Sequence, residues 1–218
     1  MSVVYYSRMR FVTKLLPLLL ASPLSGRVLS VFNPKLEGKV LPDELSLRDP
    51  KHFGFTYTGS HIVQMTTFFM ENIAKRNPGR ISLAHVYPGI VMTNAVDKGR
   101  LPTWTRYLWH YAMGPILRPF ATPFMETGER MLFITSPRFP ARPLNSTVGV
   151  SKVGGDVEIA MSSDGMVGGG AYRVTSNGET FPTGKAYEEA RKAGMYEKVW
   201  DHTMKAFEVI EAGNVFTE

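Results

Sequence analysis

Two short apolar runs constrain this chain more than anything else in it. "GRVLSVF" (Gly26 to Phe32) is short, apolar and β-branched, and "RISLAHVYPG" (Arg80 to Gly89) reads as a second buried strand. Such runs fit strands buried on both faces of a parallel sheet, whereas a half-exposed strand alternates polar and apolar positions. Parallel neighbours need a long crossover, usually a helix. One is at hand: Gly59 to Lys75 carries Ile62, Met65, Phe69 and Ile73 on one stripe, and Asn77-Pro78-Gly79 closes it. Val4 to Leu20 reads as a helix ending at Ser22-Pro23. Helix, strand, helix, strand in alternation predicts an α/β fold, part of a Rossmann-like doubly wound parallel sheet flanked by helices.

Downstream the pattern loosens. Thr103 to Ile116 is rich in aromatics, Glu126 to Ile134 reads as a helix, and Asp156 to Tyr172 is rich in Gly and Ser. Tyr187 to Glu211 reads as one long amphipathic helix. The expectation is a single domain over residues 1–218, with a catalytic half at 4–94, a substrate-loop region at 95–150 and a C-terminal extension at 151–218.

Composition narrows the classes. Hydrophobic residues at 44% and charged residues at 20% suit a globular chain and not a disordered one. The net charge of +6 is scattered, as Arg76, Arg80, Arg138, Lys185 and Arg191 illustrate, so no basic stripe for nucleic acid is expected. With no cysteine, disulfides and thiolate chemistry are excluded. The five histidines lack ligand spacing, and no metal is expected. The start, with Arg8, Arg10 and Lys14 ahead of Leu15 to Ala21, mimics a signal peptide, but Pro17 interrupts the apolar run. No run reaches the roughly 18 apolar residues of a spanning helix, and a cytoplasmic location is expected.

The order of these pieces carries a resemblance. A glycine before a buried strand, a helix opened by Tyr57, a second strand and then Pro88-Gly89 with Thr93 resembles the short-chain dehydrogenases/reductases. The loop from Asn33 to Tyr57 with "DELSLRD", together with "TGERMLFITSP" and "GAYRVTSNGE", is similar to the retinol-dehydrogenase-like branch and its fungal members in secondary metabolism. The resemblance implies an oxidoreductase using NADP or NAD on a small lipophilic alcohol or ketone. Tyr57 would be the acid/base, with Asn33 and His61 as the other catalytic residues. Tyr57, His61, Pro88, Gly89 and Thr93 would meet the nicotinamide end of the cofactor. It also implies a homodimer through the Tyr57 helix, with Met65, Phe69 and Met70 at the interface.

The chain departs from the family pattern at telling places. His61 stands where the family has Lys, Asn33 where it has Ser, and Val4 near its supporting Asn. The Gly-x-x-x-Gly-x-Gly phosphate-binding turn of the N-terminal βαβ portion is not found, and "VGGG" at Val167 to Gly170 lacks the strand and helix around it. The chain thus corresponds to about the C-terminal two-thirds of a family member. A catalytically inactive remnant acting as a binding partner, or an incompletely read gene, fits the same residues.

Overall fold

The computed structural model of the chain describes residues 1–93, 99, 102–144, 152–153, 157–181 and 183–217. A π-helical turn, Ser2–Tyr6, runs into helix α1, Ser7–Ala21. Strand β1, Gly26–Val31, follows, and an irregular segment leads to α2, Phe55–Arg76, and then to β2, Ile81–Val86. Both strands and both helices stand where the apolar patterns put them.

Three short helical pieces, α3 (Thr103–Leu108), a π-helical turn (Trp109–Met113) and α4 (Gly114–Leu117), carry the aromatic segment. Helix α5 is Phe124–Phe133, and a minimal hairpin joins β3 (Lys152–Val153) to β4 (Val157–Glu158). The predicted C-terminal helix is two: α6, Lys185–Lys192, and α7, Met195–Glu211. They break at Gly194, whose φ of 71° lies in the left-handed region that glycine enters at little cost.

A third strand, β5 (Ala171–Val174), completes a parallel sheet in the order β1-β2-β5. Sequence patterning gave no sign of it, because a glycine run precedes it and an arginine sits at its centre. Successive strand residues point to opposite faces. One face sets Val28, Ile81, Leu83 and Ala171 against Tyr5, Met9, Met65, Phe68, Phe69 and α7. The other sets Leu29, Ala84, Val86, Tyr172 and Val174 against Met131 and Ile134 from α5 and its end. Helices on both faces of a parallel sheet make this a partial Rossmann-like α/β fold. Met65, Phe69 and Met70, expected at a dimer interface, are instead buried (0%, 0% and 1% exposed) within the chain's own core. Phe69 stacks on Trp200 of α7 at 4.9 Å. No helix among the described residues is long and apolar enough to cross a membrane.

Candidate functional site

In open α/β sheets, ligands bind in the crevice beyond the carboxyl ends of the strands. Asn33 lies just past β1, Pro88 and Gly89 just past β2, and Tyr57 in the first turn of α2. The residues singled out in the sequence therefore gather at one end of the sheet. Their individual environments differ.

Tyr57 is partly exposed, at 36%. Its ring lies 6.2 Å from that of His52, which bonds through Nδ1 to Glu44 Oε2 at 2.5 Å. Asn33 Oδ1 accepts the Lys35 backbone N–H at 3.0 Å, a local turn that fixes the carbonyl side of its amide. Gly89 holds φ at 85°, and a Cβ there would sit 3.1 Å from Ser176 Cβ and 3.3 Å from Thr122 Oγ1. The Pro-Gly turn is thus docked against the 121–122 segment, where the Thr122 N–H reaches Ile90 O at 2.8 Å. Thr93 is exposed, and Asn94 lies outside the described residues.

His61 is the main departure. Four residues after Tyr57, it falls on the same helix face by spacing. In the structure His61 is fully buried, and its Nε2 accepts the Leu41 backbone N–H at 3.0 Å. Burial pushes its pKa down to about 4, so the ring is neutral across the physiological range. It anchors the segment between β1 and α2. Gln64, one turn further, donates to Gly38 O at 2.6 Å for the same purpose. The approach is close enough that a Cβ at Gly38 would collide with Ser60 Oγ.

A polar row was missed altogether. Register places Ser30, His85 and Arg173 side by side across the three strands, each almost wholly buried beneath α2. His85 Nδ1 lies 3.3 Å from Thr67 Oγ1 of α2, and burial, with Arg173 adding to it, pushes its pKa down to about 3. Tyr187 of α6 donates to the same Thr67 hydroxyl at 3.0 Å. Arg173 donates to Pro34 O at 2.5 Å and pairs with Glu37. Its guanidinium lies between the rings of Phe181 (4.2 Å) and Tyr187 (4.6 Å). Ser30 Oγ and His85 Nε2 are buried without a hydrogen-bond partner among the described residues. The one signal for this row in the sequence was a polar residue interrupting each apolar strand.

The fit to a nicotinamide cofactor is partial. The Tyr57 side chain is partly exposed and the Pro88-Gly89 turn directly follows β2 and is half-buried, so neither is shut away from a ligand. His61 does not fit the ribose-holding role, because its acceptor nitrogen is committed to Leu41 and its ring is shut in. The described glycine turn at Gly168–Gly170 precedes β5 and packs on Arg142 and Ala74, leaving no helix N-terminus for a pyrophosphate.

Comparison with known proteins finds similarity to several fungal oxidoreductases. It is 33% identical over 215 residues to the short-chain dehydrogenase/reductase SAT2 of Stachybotrys chartarum, covering 98% of this chain and 59% of that protein. It is 36% identical over 200 residues to oxidoreductase AN1596 of Emericella nidulans, covering 91% and 58%. With the NmrA-like family domain-containing oxidoreductase notO of an Aspergillus species the figures are 34% over 210 residues, 95% and 56%. The chain spans about three fifths of the length of these curated relatives. No protein-family model matches it.

Proposed function

We propose that this chain is the substrate-side part of an NAD(P)-dependent oxidoreductase of the short-chain dehydrogenase/reductase type, of the retinol-dehydrogenase-like branch, acting on a small lipophilic alcohol or ketone in fungal secondary metabolism. The observation that carries this reading is the convergence of Tyr57, Asn33 and the Pro88-Gly89 turn at the carboxyl end of a parallel sheet. The similarity to fungal oxidoreductases over nearly the whole chain supports it. A nicotinamide supplies or accepts the hydride when bound. The residues of this chain handle the oxygen: the Tyr57 hydroxyl gives or takes the proton there, and the Asn33 amide donates a hydrogen bond to it. Thr93 and the 88–89 turn orient the carboxamide end of the cofactor. The exposed aromatics of the 103–111 segment, with Tyr107 stacked on Tyr111 at 6.1 Å, cover the lipophilic substrate.

The test is a fusion of this chain to the segment of a relative that lies outside the matched region, assayed with ketone substrates and NADPH. Turnover is expected, and Tyr57→Phe should remove nearly all of it, since the proton donor goes while the ring stays. Turnover unchanged by Tyr57→Phe would refute the assignment. The chain by itself should hold NADPH no tighter than the millimolar range, about −4 kcal/mol.

One observation favours a second reading. The residue at the family's lysine position is buried, neutral and used to hold a loop, as expected of a scaffold that has given up catalysis. A fusion that binds NADPH tightly but turns over no ketone would support that reading over the first. The cytoplasm is the compartment proposed under either reading.

A further inference from the structure

Strand β1 pairs with β2 on one side, and on the other it meets no strand among the described residues. Along an extended strand the N–H and C=O of one residue point to the same side, and successive residues alternate. The Gly26 N–H bonds to Arg80 O and the Phe32 N–H to Val86 O, so Gly26, Val28, Ser30 and Phe32 turn their backbone groups toward β2. Arg27, Leu29 and Val31 therefore turn theirs outward. Among the described residues these outward groups receive one bond, from Arg8 to Val31 O at 2.7 Å.

Side chains alternate as well. Val28 and Ser30 share the face packed against α1 and α2, and Leu29 lies on the opposite face. A groove of about 280 Å³ lies between β1 and α1, lined by Arg8, Met9, Phe11 and Val12 from the helix and by Val28 and Ser30 from the strand. Whole small-molecule sites run from roughly 300 to 1,000 Å³. This groove has a size for side chains and not for a metabolite.

The Val31 carbonyl is where an added parallel strand would place its next N–H. Arg8 is already there, so the ladder stops at that point. A strand that ends there leaves its terminal carboxylate beside the outward Val31 N–H and the guanidinium. One nitrogen of Arg8 is engaged by Val31 O, while a guanidinium carries five N–H donors in all. Arg8 makes no ion pair among the described residues.

We propose that the β1 edge captures the C-terminal end of an extended peptide as a further parallel strand, its carboxylate held by the Val31 N–H and Arg8. In that register the last residue donates its N–H to Leu29 O, and the carbonyl two residues earlier accepts the Leu29 N–H. The last residue stands beside Ser30 and the one two before it beside Val28, so both face the groove. The residue between them stands beside Leu29, on the other face. The ligand therefore ends apolar, any residue, apolar, carboxylate. Nothing in this draws on the Tyr57 chemistry, and its test reads binding and not turnover.

The experiment is fluorescence anisotropy of the 218-residue chain with a labelled pentapeptide ending in valine, serine, valine. Three controls are the same peptide as its C-terminal amide, a peptide ending in serine, valine, serine, and one methylated on its last backbone nitrogen. One saturable site is expected for the parent peptide, at least about tenfold tighter than each control, because the controls lose the carboxylate, the groove contacts and a ladder bond in turn. Arg8→Gln should weaken the parent peptide about tenfold and leave the amide form unchanged. Val31→Pro removes an outward N–H at a sheet edge, where proline is tolerated, and should abolish binding with the circular dichroism spectrum intact. Should that variant unfold, the methylated peptide tests the same ladder on the unaltered chain. Leu132→Glu, on α5 and 71% exposed, should change nothing. Equal affinity for the amide or the methylated peptide, survival of binding in a folded Val31→Pro, or its loss in Leu132→Glu would each overturn the proposal. So would a dimeric chain that takes up no peptide and becomes monomeric in Val31→Pro, since the edge would then belong to a second copy.

Discussion

On the β5 side of the sheet, the chain covers its own edge. The Phe181 N–H reaches Arg173 O, and the Ser163 N–H reaches Ala171 O at 2.8 Å. Over the same region Arg173, His61 and Gln64 bind Pro34, Leu41 and Gly38. On the β1 side, the Arg8 guanidinium on Val31 O at 2.7 Å is what meets the edge. Around it Phe11, Leu18, Leu24 and Val31 stand 71%, 71%, 78% and 44% exposed. The covered side is held by buried polar groups, each with a named backbone partner. The open side offers apolar area and strand backbone, the surface that pairs with something else or aggregates. What distinguishes the sides is whether the chain's own segments cover the edge strand, and that can be tested one residue at a time.

The largest effect should come from cutting the covered side at its centre. Arg173→Leu leaves Glu37 without its cation and frees the 34–37 segment, at a cost of about 3–5 kcal/mol in urea unfolding. A loss under 1 kcal/mol would mean the ion pair holds nothing. His61→Lys comes next. This substitution puts an ammonium in a fully buried position and removes the acceptor for Leu41 N–H. We expect a loss on the order of 2–4 kcal/mol at pH 7 and no gain in activity.

Acidification should act on the same side with a calculable sign. His61 and His85 have folded pKa values pushed down to about 4 and about 3, below the unfolded value near 6.5. Below 6.5 the unfolded chain takes up protons that the folded chain refuses, so stability falls as pH drops toward 4. From pH 7 to pH 5 each group should cost roughly 2 kcal/mol. Denaturation midpoints measured across that window should flatten in His61→Gln, and a flat profile in the parent chain would refute the buried-neutral assignment.

The open side should respond in association and hardly in stability. The parent chain should self-associate or bind the dye ANS. Leu18→Glu with Val31→Lys should reduce both while moving stability by no more than about 0.5 kcal/mol. An unchanged sedimentation profile would show that this face is not what associates. Smallest of all is Tyr57→Phe, which should leave unfolding within about 0.5 kcal/mol, as suits a partly exposed hydroxyl with the chemical role proposed for it.

The same contrast explains what could be read from the sequence. β1, β2 and α2 were legible because apolar periodicity reports burial directly. β5 was not: Arg173 breaks its apolar run, and only the fold reveals that Glu37, Pro34 and two rings make an arginine acceptable there. The split at Gly194 was available in principle, as a glycine between two charged helical stretches, but the helical period continues smoothly across it. For the candidate site, the resemblance singled out Tyr57, Asn33 and the Pro-Gly turn, which in the structure open α2, follow β1 and follow β2 respectively. Helical spacing also put His61 on Tyr57's face, yet which way a ring turns depends on what the 38–45 segment offers it, and no local pattern encodes that.

The N-terminal turn and α7 are joined by a bond of extreme sequence separation. The Tyr5 hydroxyl meets Thr203 Oγ1 at 2.6 Å across 198 positions, and Thr203 in turn donates to Val199 O. On a ribosome adding about 5–20 residues each second, α7 emerges roughly ten to forty seconds after Tyr5. For most of that interval Tyr5 and Met9 have α2 against them but not α7, and the Tyr5 hydroxyl lacks its Thr203 partner. Until α7 arrives this patch is only partly covered, and production of this protein should depend on chaperone capacity and translation speed more than its finished stability suggests.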